Sequence, residues 1–186
     1  MTREEYDSHC NRLRELVSER GPITDNQLRM FSVVCVRRIW HLLRDPLGHQ
    51  AVETAEGFLN GSNSTADLMT AYESLTNRAA PAHHIPGEHG AMCAAMYTCI
   101  ANAWWSACNG SKCAAEAVGE VALAKALNVD LTTGQIDWKL TTDYPASLHL
   151  GRSLEKVAMR EELNAQLIVF RKLIAGTGNT SSFERS

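Results

Sequence analysis

Apolar residues recur at helical spacing from the N-terminus onward. In the first segment they stand 4, 3 and 4 residues apart, at Tyr6, Cys10, Leu13 and Val17. Thr2 and Glu5 have the spacing of a capping box, in which the two side chains bond to each other's backbone N–H groups. The pattern predicts an amphipathic helix from residue 3 to about residue 19.

Capping signals mark the starts of three further helices. Thr24 and Gln27 form a second capping box before the run LRMFSVVCVRRIWHLL, which is apolar on nearly every face and predicts a central helix. Asp45 followed by proline predicts a third helix, which ends at Asn60 before a glycine. Ser64 then caps TADLMTAYESLTNRAA, whose apolar side chains share one face.

The middle of the chain has no charged side chain from residue 91 to residue 111. This length is enough to span a membrane, but its polar side chains and many alanines favour a buried helix. Asn109, which precedes a glycine, predicts the end of that helix, and Ser111 predicts the start of the next. Trp104 and Trp105 point about 100° apart on a helix, so burying both requires neighbours on two sides.

The helical pattern is interrupted from residue 129 to residue 151. Apolar and polar residues alternate there around Ile136, Trp138 and Leu140, which predicts a short extended segment or a long loop. Ser153 is predicted to start a last long helix that ends before Gly176. Its apolar stripe consists of Leu163, Leu167, Phe170 and Ile174. Residues 177–186 predict a disordered tail.

Together these elements predict an all-α fold, a compact bundle of about six to seven helices with one long irregular segment near 129–151. A chain of 186 residues has the length of a single domain, which we place at 1–176. The net charge of -3 disfavours nucleic acid as a partner. Because the N-terminus lacks the apolar run of a secretion signal, we expect a cytoplasmic protein with reduced cysteines and no membrane segment.

Four segments carry a resemblance to a known family. They are LRMFSVVCVRRIWHLLRD, AVETAEGFLNG, TADLMTAYES and the closing REELNAQLIVFRKLIAG. This order resembles an uncharacterised family of helical domains common in planctomycete bacteria, although Asn60 stands where the family usually has aspartate. The resemblance implies a helical fold, a bacterial origin and a place in larger regulatory proteins. It implies no enzymatic activity.

Three histidines and a glutamate lie within the short stretch HHIPGEHG. Its proline and glycine exclude the helical H-x-x-E-H motif of a metalloprotease. If that proline is the first helical residue, His89 and Cys93 lie four apart on one helical face, and His84 reaches in from the loop. These three residues are the predicted ligands of a zinc site, with His83, Glu88 or a distant histidine as the fourth. The alternative, which we favour, is a solvated loop between two helices, and its histidines bind nothing.

Basic residues cluster in the stretch VRRIWHLLRD. Arg37 and Arg38 could bind phosphate while Trp40 stacks on a base. Alternatively, Trp40 is part of the core, and the arginines pair with acidic residues such as Asp45 and Glu53. We favour the second interpretation.

No G-x-G-x-x-G, Walker or G-x-S-x-G motif is present. Cysteine and histidine could pair at Cys93 and His89 or at Cys35 and His41, but no third orienting group is evident. We therefore predict no catalytic residues.

The expected function is that of a non-enzymatic helical module for protein interaction or regulation. Arg37, Arg38 and Trp138 are the predicted partner-binding residues, the last within the adaptable segment TTGQIDWKLTTDYP. The alternative function is a metal-binding sensor or a metal-dependent hydrolase that uses the region from His83 to Cys93.

Overall fold

The computed structural model describes residues 3–78, 85–137 and 143–176, and these form seven α-helices and one short 3-10 helix. The α-helices are α1 (Arg3–Arg20), α2 (Asp25–Arg38), α3 (Pro46–Leu59), α4 (Thr65–Arg78), α5 (Glu88–Thr98), α6 (Ala103–Ala126) and α7 (Tyr144–Ala175). The 3-10 helix, Trp40–Leu42, follows α2, and an isolated antiparallel bridge joins Val129 to Ile136. The predicted all-α fold is confirmed, while the predicted tail lies outside the described residues.

Three of the predicted helix starts are confirmed by their caps. Thr24 and Gln27 make both bonds of a capping box at the start of α2. Asp45 accepts a hydrogen bond from the Leu47 backbone N–H at 2.9 Å and caps α3. Ser64 forms reciprocal bonds with the first turn of α4. These helices begin where local side-chain chemistry satisfies their first N–H groups.

The centre of the bundle is α6, against which α1, α2, α5 and α7 all pack. Its buried residues are mostly small, and Ala107, Ala114 and Ala117 are inaccessible to solvent. A Cβ at Gly90 of α5 would lie only 2.9 Å from the backbone nitrogen of Ala117. The small residues therefore allow neighbouring helices to approach α6 almost backbone to backbone.

The boundary between α5 and α6 lies at residues 99–102, so the predicted end at Asn109 is wrong. Asn102 caps α6 by accepting a hydrogen bond from the Trp105 N–H at 2.9 Å. Asn109 donates its side-chain amide to the Trp105 carbonyl at 3.1 Å, and the glycine after it packs against Ser32. The Asn-Gly pair is thus a packing feature inside α6. Among the described helices, none is both long and apolar enough to cross a membrane.

Arg29 of α2 fills the break between α5 and α6. Its Nη1 donates to the carbonyls of Thr98 and Ile100 at 2.5 and 2.9 Å, and its Nη2 donates to the Ala101 carbonyl at 3.2 Å. The residue is 4% exposed, and its guanidinium lies 5.2 Å from the centre of the Phe58 ring. Carbonyls at a helix end lack helical partners and carry partial negative charge, so a cation stabilises them. A side chain of α2 therefore holds the end of α5.

The start of α7 also differs from the sequence prediction, because the helix begins at Tyr144 and not at Ser153. Asp143 accepts a hydrogen bond from the Ala146 N–H at 3.2 Å. The proline between them lies in the first turn, where its fixed φ and missing N–H are tolerated. The segment predicted to be irregular up to residue 151 is therefore already helical from residue 144.

His9 connects α1 to α6 through a buried hydrogen bond. Its Nε2 lies 2.9 Å from the Ser111 Oγ, and that hydroxyl donates to the Ala107 carbonyl at 2.6 Å. Because the hydroxyl proton is used there, the histidine Nε2 is the donor to the serine. Burial lowers the pKa of His9 from 6.5 to about 4, so the ring is neutral at neutral pH.

Replacing Arg29 by methionine should lower the free energy of unfolding by about 3 kcal/mol, because one buried and two partly buried carbonyls of the α5–α6 break lose their charged donor. Urea denaturation measures this loss. The control is Arg12→Met, which removes an exposed ion pair with Glu15 and should cost less than about 1 kcal/mol. Equal losses in the two variants would contradict the structural role of Arg29.

His9 should make the fold sensitive to acid. The unfolded chain binds a proton at His9 with a pKa of 6.5, whereas the folded chain binds it only near 4. The contribution of His9 to stability is complete above the unfolded pKa and is lost as the pH falls toward the folded one. At pH 5 the free energy of unfolding should therefore be about 2 kcal/mol lower than at pH 7.5. In His9→Gln, which keeps a polar side chain but cannot titrate, most of this difference should disappear.

Candidate functional site

A groove runs between α1 and α7 and has a volume of about 1220 Å³. Buried His9 and Met159 lie at its floor, together with half-buried Leu163 and Leu167. The remaining lining residues are mostly charged or polar. The groove therefore combines an apolar floor with polar walls.

The two walls of this groove differ in charge. On α7, Arg152, Lys156 and Arg160 stand four residues apart and form a row that we call the basic row. The opposite wall on α1 carries the acidic residues Glu4, Asp7 and Glu15, with Arg12 between them. Arg152 pairs with Glu155 at 2.8 Å, whereas Lys156 and Arg160 form neither an ion pair nor a side-chain hydrogen bond within the described part of the chain.

In addition to the stripe that ends with Phe170 and Ile174, α7 carries a second apolar stripe on its outer face. It consists of Leu150, Leu154, Val157 and Ile168, which we call the outer stripe, and these side chains are 42–57% exposed. On the opposite face of the helix, Phe170 and Ile174 are buried in the core as the sequence predicted. The helix is thus apolar on two sides, and only one of them is covered within the described chain.

Arg37 and Arg38 both form ion pairs, but not with the acidic residues that the sequence suggested. Arg37 donates to both carboxylate oxygens of Glu56, at 2.8 and 2.6 Å. Arg38 donates to those of Glu162, at 2.7 and 2.9 Å. The first pair links α2 to α3 and the second links α2 to α7. The third predicted partner-binding residue, Trp138, lies outside the described residues.

Two side chains already stack on the Trp40 ring. The Arg37 guanidinium lies 3.9 Å from the ring centre, and the His49 ring stacks on Trp40 with a centre-to-centre distance of 4.2 Å. A nucleic-acid base would have to displace one of them in order to stack on this indole. The geometry therefore does not favour the alternative in which Trp40 binds a base.

The adjacent tryptophans at the start of α6 have different environments. Trp104 is half-buried, with the Arg14 guanidinium 5.4 Å from its ring, whereas Trp105 is 51% exposed. The central position expected for this helix is correct. The N-terminal turn, however, is covered on only one side, so only one of the two rings is sheltered.

Two of the predicted metal ligands lie close together. The His89 Nε2 is 3.6 Å from the Cys93 Sγ on α5. In a tetrahedral zinc site with bond lengths of about 2.3 Å to sulfur and 2.1 Å to nitrogen, these atoms would lie about 3.6 Å apart. His83 and His84 are outside the described residues. Within 3–78, 85–137 and 143–176, no three histidine, cysteine, aspartate or glutamate side chains are placed to hold a metal ion.

The start of α5 next to this pair differs from the prediction. The helix begins at Glu88, and Pro86, which was predicted to be its first residue, is not helical. Gly87 precedes the helix with φ 82°, a conformation that glycine adopts without steric cost. Its N–H donates to the Glu120 carboxylate of α6 at 3.0 Å. Glu88 is buried, so the fourth ligand proposed at that position would have to move outward to reach a metal.

The cysteines of the two predicted cysteine–histidine pairs are not activated by their surroundings. Burial raises the pKa of Cys93, and the nearby carboxylates of Glu116 and Glu120 raise it further. Burial also raises the pKa of Cys35 well above its usual value. Both side chains are therefore neutral thiols at neutral pH, and a nucleophilic cysteine requires the thiolate.

No family model, curated protein or solved structure matches the chain.

Proposed function

We propose that the chain is a non-enzymatic helical module that binds another protein through the outer stripe of α7. The main observation behind this proposal is the spacing of Leu150, Leu154 and Val157, which stand at positions i, i+4 and i+7 of one helix. This is the spacing with which an amphipathic helix presents its anchors to a partner. Scattered exposed apolar residues are common, but a row of them on one helical face is typical of an interaction surface.

The rigid attachment of α7 supports this proposal. The Phe170 ring packs on the Phe31 ring of α2 with a centre-to-centre distance of 4.8 Å, and Glu162 pairs with Arg38. These contacts hold the helix in place before a partner arrives. A partner that docks on a rigid surface loses less conformational entropy than one that must order it, and this favours binding.

We further propose that the chain is a cytoplasmic protein of bacterial origin and a member of the helical family that it resembles. The segments from residue 28 to residue 74 support membership. The regulatory setting implied by the resemblance agrees with a binding role. Arg37 and Arg38 then act chiefly within the bundle, since each holds a neighbouring helix through a carboxylate.

A second candidate function is metal binding at the entrance of α5. The observation that favours it is the 3.6 Å separation of His89 and Cys93, which suits two ligands of one zinc ion. Glu116 and Glu120 add negative charge close to Cys93, and this charge would attract a cation. His83 or His84 would supply a further ligand.

The outer stripe can be tested with a phage-displayed library of amphipathic helical peptides selected on the wild-type chain. Peptides that bind through the stripe should lose at least about tenfold in affinity for Leu154→Asp, because the new carboxylate would be buried without a partner. Isothermal titration calorimetry measures the affinities.

Met69→Asp is the matched control, because Met69 is also an exposed apolar residue, on α4 (54% exposed, against 42% for Leu154). It should leave the affinities unchanged, and circular dichroism should find both variants folded. Failure to enrich any binder, or equal losses in the two variants, would contradict the proposed function.

Zinc binding gives a separate test. The purified chain should bind one zinc ion, and His89→Ala or Cys93→Ser should each weaken binding at least about tenfold, since each removes a ligand. Competition with a chromogenic chelator measures the affinity. His41→Ala changes an exposed histidine in the 3-10 helix and should have no effect. Unchanged affinity in both ligand variants would exclude this site.

A further inference from the structure

We infer that the groove between α1 and α7 receives one amphipathic helix of the partner, with a row of acidic residues facing the basic row of α7. This inference rests on the proposed function and names the chemistry of the partner. It is based on the charge pattern of the groove, on the length of the groove and on its apolar floor.

The basic row has the periodicity of a helix. Arg152, Lys156 and Arg160 follow one another at intervals of four residues, which places them about 6 Å apart along α7. Arg152 already pairs with Glu155, which also lines the groove, so acidic residues at the same interval on a second helix would face Lys156 and Arg160. Lys156 and Arg160 are available for such pairing, because neither forms an ion pair within the described chain.

The length of the groove along α7 suits one helix. Along α7 its lining extends from Arg152 to Leu167, a length of about 22 Å or four helical turns. The floor at Met159 and Leu163 gives the partner a narrow apolar strip to cover. His9 at the floor is neutral, since burial lowers its pKa, so it adds no charge there.

The acidic wall restricts the occupant further. Glu15 is paired with Arg12, but Glu4 and Asp7 add negative charge to this wall and disfavour a polyanion, such as a nucleic acid, that filled the groove. A helix can avoid this repulsion, because its two flanks can carry different residues. The groove therefore selects a helix that is acidic toward α7 and neutral or basic toward α1.

The groove also adjoins the outer stripe. Lys156 and Val157 are neighbours in the sequence and point about 100° apart around α7. A helix seated against the basic row thus lies next to the outer stripe, and the remainder of the partner can cover both. Apolar contact supplies affinity, and the charges set the orientation and specificity.

Two synthetic helical peptides provide the probes. Both have about 16 residues, the length of the groove, with leucine along one face. One carries glutamate at every fourth position of an adjacent flank, and the other carries lysine there. The glutamate peptide should bind the wild-type chain at least tenfold more tightly, and this preference should weaken as salt is added.

The double variant Lys156→Glu/Arg160→Glu should reverse the preference, so that the lysine peptide binds more tightly. Arg171→Glu/Lys172→Glu is the matched control, because it reverses two exposed charges of α7 outside the groove and should retain the wild-type order. Equal binding of the two peptides, or a reversal in the control as well, would overturn the inference.

The phage selection separates this inference from the proposed function. If selected peptides lose affinity for Leu154→Asp but not for Lys156→Glu/Arg160→Glu, the outer stripe binds partners and the groove does not. Sedimentation equilibrium adds one more outcome. A dimer of the wild-type chain that dissociates in Lys156→Glu/Arg160→Glu would overturn the inference, because the occupant would then be a second copy.

Discussion

The fold depends on one buried cation, Arg29, which binds the carbonyls between the end of α5 and the start of α6. Arg29 donates to three carbonyls in the break between α5 and α6, and it does so from α2. Without this donor, the buried carbonyl of Thr98 and the partly buried carbonyls of Ile100 and Ala101 would each lose a charged hydrogen bond, and the loss is most costly at the buried one. Because α1, α2, α5 and α7 all pack on α6, the direction in which it leaves the break affects the positions of these four helices. The guanidinium also lies close to Phe58, so α3 is positioned by the same side chain.

Small residues on α6 allow the neighbouring helices to pack closely against it. Where Gly90 meets Ala117 and the glycine after Asn109 meets Ser32, helices approach too closely for larger side chains. Large side chains are buried between other helices, as where Phe31 of α2 packs on Phe170 of α7. One face of α7 thus completes the core through Phe170, while the outer stripe on the other face remains exposed.

Much of the fold can be predicted from the sequence, because the signals for α2, α3 and α4 are local. Thr24, Asp45 and Ser64 cap helices with atoms two or three residues away. Asp143 gives an equally local signal, and it places the start of α7 before the predicted start at Ser153.

The end of α5 is different, because it depends on Arg29, which is 69 residues away from Thr98. The groove likewise requires two helices from opposite ends of the chain, although the four-residue spacing of the basic row is visible in the sequence. The 4-3 spacing of Leu150, Leu154 and Val157 is visible as well, but only the packing of α7 shows which of its two apolar stripes is covered.

The contact between α1 and α7 has a consequence for the synthesis of the protein. α1 ends at Arg20 and α7 begins at Tyr144, so α1 cannot pack against α7 until the ribosome has made all the helices between them. At the roughly 5–20 residues that are added per second, the wait between the two helices is on the order of ten seconds. During this time Leu13 and Leu16, which are buried in the finished fold, depend on the central helices alone for cover. The contact between α1 and α7 therefore forms late in synthesis, after α2 to α6 have been made.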